Sequence, residues 1–145
     1  MMTTTRFLNF CFLLFASLSL NAYAEVVIKK AYVQAVPEGY EETAVFLTIK
    51  NSDRHPVYLN NVSSPASQTA EIQKYKNNDG VMMLQKADSI TVLGNSTLEL
   101  QPGGEQISLI GLRRHLTVGD TIELSLKFSN GKSLKTDALV VSSED

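Results

Sequence analysis

From Thr121 to Phe128 the chain alternates without a break: Ile122, Leu124, Leu126 and Phe128 interleave with Glu123, Ser125 and Lys127. A period of two marks a β-strand with one wet and one buried face, and it excludes an amphipathic helix, whose apolar positions recur every three or four residues. The same period returns at residues 43–50, where Val45, Leu47 and Ile49 oppose Ala44, Phe46 and Thr48. Both of those faces are apolar, which predicts a central strand. Further strand signals cover residues 26–33, 57–62, 69–75, 81–85, 90–93, 97–100, 106–111 and 133–141. Turn formers punctuate them: Pro37-Glu38-Gly39, Ser63-Ser64-Pro65, Asn77-Asn78-Asp79-Gly80, Pro102-Gly103-Gly104 and Ser129-Asn130-Gly131. Roughly eight to ten short strands with this turn spacing, and no helical stretch, predict an all-β, two-sheet sandwich.

The first 24 residues have a different character. Arg6 is their only charge, residues 7–20 are largely apolar, and Ala22-Tyr23-Ala24 has the small-x-small form of a cleavage site. Residues 1–24 are expected to be a signal peptide, leaving residues 25–145 as one domain in the periplasm, with a retained N-terminal anchor as the alternative. The apolar run falls short of the roughly 18 residues a spanning helix needs, and no later segment approaches that length. Cys11, the sole cysteine, lies inside this run and follows Leu8-Asn9-Phe10, not the small residues that precede a lipidated cysteine. The remaining chain has no thiol, and it is long enough to bury a core without disulfides.

Charge narrows the function classes. The chain has 13 Lys and Arg against 15 Asp and Glu; without Arg6 the balance is 12 against 15, and the charges are scattered. Nucleic acids and anionic membranes call for a concentrated basic patch, so both are excluded as partners. An enzyme is not indicated either, because no Ser or Cys stands with a base in a nucleophile signature. Pro102-Gly103-Gly104 lacks the lysine and helix of a phosphate loop. Glu41 and Glu42 are adjacent, so their side chains point apart and read as a solvated surface.

Several segments, in order and spacing, resemble the periplasmic Cu(A) chaperone family, PCu(A)C. They are Ala31-Tyr32, residues 44–51, Ser63-Ser64-Pro65-Ala66, Asp79-Gly80-Val81-Met82, residues 100–112 and Val118-Gly119-Asp120-Thr121. The resemblance implies a cupredoxin-like Greek-key β-sandwich that holds Cu(I) for delivery to an oxidase. It also implies an oxidase assembly factor, or a paralogue bearing the full ligand set, as partner.

The ligands of that family are a His, a downstream Met and a final His-x-Met. Carried over position by position, the resemblance puts them on Gln73, Leu84, Gln106 and Ser108. Cu(I) is a soft ion served by thioether sulfur and imidazole nitrogen. An amide oxygen is a hard donor and leucine has none, so weak or no Cu(I) binding is expected. Met82 shares the face of Leu84 and is a candidate residual donor; the alternative is that Met82 and Met83 fill irregular core space. His55 and His115, the two histidines, lie in polar segments without ligand-spaced companions and read as solvated.

Two functions stay open. One is a copper-trafficking protein of the PCu(A)C type. The other is a metal-free sandwich that contacts a protein or small ligand, either through the face of Gln73, Gln106 and Ser108, read as polar and uncharged, or by strand addition at an exposed edge.

Overall fold

A computed structural model describes residues 25–143. The signal-peptide expectation and Cys11 therefore fall outside the described residues. Ten strands succeed one another: β1 (Val26–Gln34), β2 (Glu42–Asn51), β3 (Val57–Ser63), β4 (Ser67–Asn78), β5 (Val81–Ala87), β6 (Ile90–Val92), β7 (Ser96–Glu99), β8 (Gln106–Leu112), β9 (Thr121–Phe128) and β10 (Ser133–Val141). There is no helix among the described residues.

The sandwich is built from one continuous mixed sheet rather than the two separate sheets predicted. Its order is β5-β4-β8-β2-β1-β10-β9-β3-β6, with β7 paired to β2. The join is β1. It pairs with β2 from Val26 to Val33, and on its other side Tyr32, Val33 and Gln34 run in parallel along Leu139, Val140 and Val141 of β10. A register shift between Lys29 and Tyr32, with Lys30 at φ 51°, bends the strand at that point. An extra residue of this kind kinks and twists a strand, which lets one sheet roll over onto itself. As a result β3 packs against β4 although the two share no ladder.

Between the rolled layers lies a core of Val45, Leu47, Ile49, Leu59, Ile90, Ile107, Leu109, Leu124 and Leu126, with Ile72 and Val33. It draws on strands from both halves of the sheet. Each such side chain removed from water contributes about 1.5–3 kcal/mol. The alternation at residues 121–128 is realised as read, with Ile122, Leu124, Leu126 and Phe128 buried and the intervening residues facing out.

Two turns position the strands that carry the candidate site. Asp79 (φ 52°) and Gly80 (φ 87°) are both left-handed, the requirement of a two-residue type I′ hairpin, and they close Asn78 onto Val81. Asn77 secures the turn by accepting the Gly80 N–H at 2.8 Å. Strand β8 runs one residue past the predicted end at Gly111, whose φ of 70° is accommodated within the ladder. A side chain at Gly111 would strike Gln68 at 2.8 Å, and Leu112 beyond it packs against the core.

Candidate functional site

Register, not proximity in sequence, assembles the outer face of β5, β4 and β8. In the β4–β8 ladder Ile72 lies opposite Ile107 and Gln73 opposite Gln106. Residues directly opposite on antiparallel strands share a face. Ile72 and Ile107 therefore face the core, and Gln73 and Gln106 face away from it. The β4–β5 ladder adds Lys86 opposite Gln73 and Leu84 opposite Tyr75. Ser108 stands opposite Glu71 on β4 and Ala44 on β2.

The four positions carried over from the resemblance thus lie on one face of three neighbouring strands, unequally spaced. Gln73 and Gln106 touch: the Gln106 amide Nε2 donates to Gln73 Oε1 at 3.1 Å. Leu84 stands one row away toward the hairpin tip, and Ser108 one row away in the opposite direction, each row being about 7 Å. Met82 lies opposite Asn77, a further row toward the tip. That sets it roughly 13 Å along the strand from the glutamine pair.

The face is charged, contrary to the reading of an uncharged one. Three side chains outside the carried-over positions supply the difference. Glu42 reaches diagonally from β2 to β8 to accept a hydrogen bond from the Ser108 hydroxyl. Glu71 forms an ion pair with Lys86 at 3.2 Å. Glu71 carries a readable signal, since it alternates in step with Gln73; Glu42 carries none, because its neighbour on the face is 66 positions away. Ser108 is only 1% exposed, closed in between its two neighbouring strands. Adjoining the face, a cleft of about 200 Å³ is lined by Asn60, Asn61, Glu71, Lys86 and Asp88.

These residues do not fit Cu(I). The two amides are tied to each other by a hydrogen bond, the serine hydroxyl is committed to a carboxylate, and leucine offers no lone pair. A soft monovalent ion has no soft donor within one row of the pair. Among the described residues, no group of three or more His, Cys, Asp or Glu is placed to hold a metal ion.

Met82 and Met83 are not core fillers. Met82 is 58% and Met83 48% exposed, because β5 is the edge of the sheet and its tip overhangs solvent. Both histidines are exposed, as expected. His55 Nδ1 lies 3.2 Å from Asp53 Oδ1, and the His55 backbone N–H is the main cause holding the Asp53 carboxyl below its ordinary value. Beside His115, Arg114 donates to Asp120 at 2.6 Å; that bond first, and the Thr117 N–H second, lowers the Asp120 pKa. No helix among the described residues is long and apolar enough to cross a membrane.

The family model described as "Putative lipoprotein LpqE-like" matches residues 26–140. A curated relative from Leifsonia xyli subsp. xyli, named "Putative lipoprotein Lxx21020", is 32% identical over 109 residues. That match covers 74% of this chain, and the chain spans 64% of the relative's length. Among solved structures, the solution structure of CuI-DR1885 from Deinococcus radiodurans is similar with a TM-score of 0.69 and 29% identity, over 87% of this chain and 85% of that one. The apo PCuAC domain from PmoF1 has a TM-score of 0.69 at 20% identity, over 81% and 93%, and the copper-bound PCuAC domain from PmoF2 has 0.68 at 21%, over 81% and 92%. The last two show the fold, a cupredoxin-like Greek-key sandwich. With its sequence matched by the family model across nearly the whole of the strand array, the chain belongs to the LpqE-like family and is a member of the PCu(A)C group.

Proposed function

We propose that this protein is an exported, periplasmic member of the copper-chaperone-type PCu(A)C group that does not carry Cu(I) at the usual place and is not an enzyme. It uses the outer face of β4, β5 and β8 as a polar binding surface for a protein or a small polar ligand. The observation that carries this reading is the Gln106–Gln73 hydrogen bond, which ties together the two positions where imidazoles are expected by resemblance. The Glu71–Lys86 pair and the adjoining polar cleft offer a donor and acceptors of both charges.

A copper-trafficking role is the second reading, supported by the 29% identity to CuI-DR1885 from Deinococcus radiodurans. In that reading Met82 serves as a weak site, or a ligand-bearing paralogue or oxidase assembly factor takes the metal.

The test is a competition titration of residues 25–145 against a Cu(I) chelator. The unmodified protein is expected to take up no copper, and submicromolar uptake lost in Met82→Ala establishes trafficking instead. The combined variant Gln73→His, Leu84→Met, Gln106→His and Ser108→Met is expected to bind one equivalent. Its failure to do so means that the ligand positions lie elsewhere.

A further inference from the structure

We infer that the free edge of β5 is a self-association surface, on which a second copy of this chain pairs its own β5 in antiparallel fashion. The inference rests on the edge geometry and is independent of whether copper binds.

Strand β5 ends the sheet, so one side of its backbone has no ladder partner among the described residues. The type I′ hairpin closes on the hydrogen-bonded pair Asn78–Val81. Pairs alternate from there, so Val81, Met83 and Gln85 direct their main-chain groups to β4. Met82, Leu84 and Lys86 direct theirs outward, where they are left for another strand.

Proteins guard such edges with proline, bulges, short strands or a free lysine. The opposite edge is guarded by shortness: β6 has three residues, Ile90–Val92. Strand β5 has seven, with no proline and a β4 register that runs without a shift. Its single lysine, Lys86, is held by Glu71. Around this edge cluster Val81 (60% exposed), Met82, Met83 and Tyr75 (41%), whereas the other exposed large apolar residues lie on separate elements.

The occupant is dictated by self-complementarity. A two-fold axis at Met83 places Met82 opposite Leu84 of the second copy, twice, and Val81 opposite Gln85. It brings Lys86 beside the Asp79–Gly80 turn of the other copy, so that unlike charges meet at both ends. No like charges fall opposite each other, although the chain as a whole carries a net −2. An arbitrary extended peptide has no such built-in match.

Two measurements on residues 25–145, which contain every core residue among the described ones, test this. Sedimentation equilibrium is expected to show a concentration-dependent monomer–dimer equilibrium. Met83→Lys, which sets two cations at the axis, is expected to weaken it at least tenfold, and Met82→Pro, which removes only an outward donor, to do the same. Val118→Lys, exposed elsewhere, is expected to leave it unchanged. Secondly, residues 25–145 lack cysteine, and non-hydrogen-bonded cross-strand pairs bring Cα atoms to about 4.5 Å, within disulfide reach. Met83→Cys is therefore expected to form a disulfide-linked dimer in a glutathione buffer at least tenfold faster than Val118→Cys. A protein that stays monomeric to millimolar concentration overturns the inference. So does a dimer indifferent to both edge variants, or equal disulfide rates for the two cysteine variants.

Discussion

Gln106 donates its side-chain amide to Gln73 directly across the β4–β8 ladder, 3.1 Å away, on the side of the sheet that faces away from the core. The pair is part-buried, and each amide is the other's partner. Replacing either glutamine with alanine removes the one hydrogen bond between them, a cost of about 1 kcal/mol, because a net hydrogen bond of this class contributes roughly 0.5–1.5 kcal/mol. Urea denaturation of both single variants and the double variant is expected to give a coupling energy of about 0.5–1 kcal/mol. Strict additivity means that the bond is absent in solution.

Asn51 is the buried clasp between β2 and the loops at one end of the sandwich. Its amide nitrogen faces the carbonyls of His55, Val92 and Leu93 at 2.9, 3.3 and 3.2 Å, and its oxygen accepts the Asp53 N–H at 3.0 Å. Removing the side chain takes a partner from each of these main-chain groups, and a buried polar group left unpaired costs about 1–3 kcal/mol. Asn51→Ala is expected to fall at the upper end, about 3 kcal/mol by urea melting. A loss under about 1 kcal/mol means that water replaces the amide.

Gly94 packs against the same clasp. A Cβ there would sit 2.1 Å from the Arg54 carbonyl oxygen, a main-chain atom that cannot swing aside. Overpacking of this kind costs about 1–3 kcal/mol. Gly94→Ala is therefore expected to lower the thermal midpoint more than Ser96→Ala two residues on. The latter loses only the bond to the Gly94 carbonyl at 3.0 Å, about 1 kcal/mol.

Asp120 predicts the acid behaviour. The bond from Arg114 at 2.6 Å and the Thr117 N–H at 3.0 Å depress its folded-state pKa. A depressed carboxyl contributes stability that is complete above the unfolded value of about 3.9 and is lost as pH falls through the lower folded value. Carboxyl carbon NMR is expected to place the Asp120 midpoint below that of an ordinary aspartate. Arg114→Ala should bring the midpoint back up, while Asp53, held chiefly by the His55 N–H, stays low in that variant. An Asp120 midpoint that does not respond to Arg114→Ala refutes the assignment.

Strands, their faces and the turns were legible in the order of residues along the chain. Alternation at residues 121–128 requires only that neighbouring side chains point opposite ways, and the left-handed Asp79-Gly80 turn requires only residues that tolerate positive φ. Such rules act within a few residues, so no distant partner is needed to apply them. Which strands meet was settled only in the folded molecule. The parallel β1–β10 pairing that turns two expected sheets into one, the reach of Glu42 to Ser108, and the exposure of Met82 and Met83 at an edge all depend on contacts between distant segments. Pairing energy is much the same for many strand partners, and only the packing of the whole core selects among them. Hence, Glu71 apart, the charge on the candidate face was hidden in Glu42 and Lys86, which no local pattern distinguishes from solvated surface.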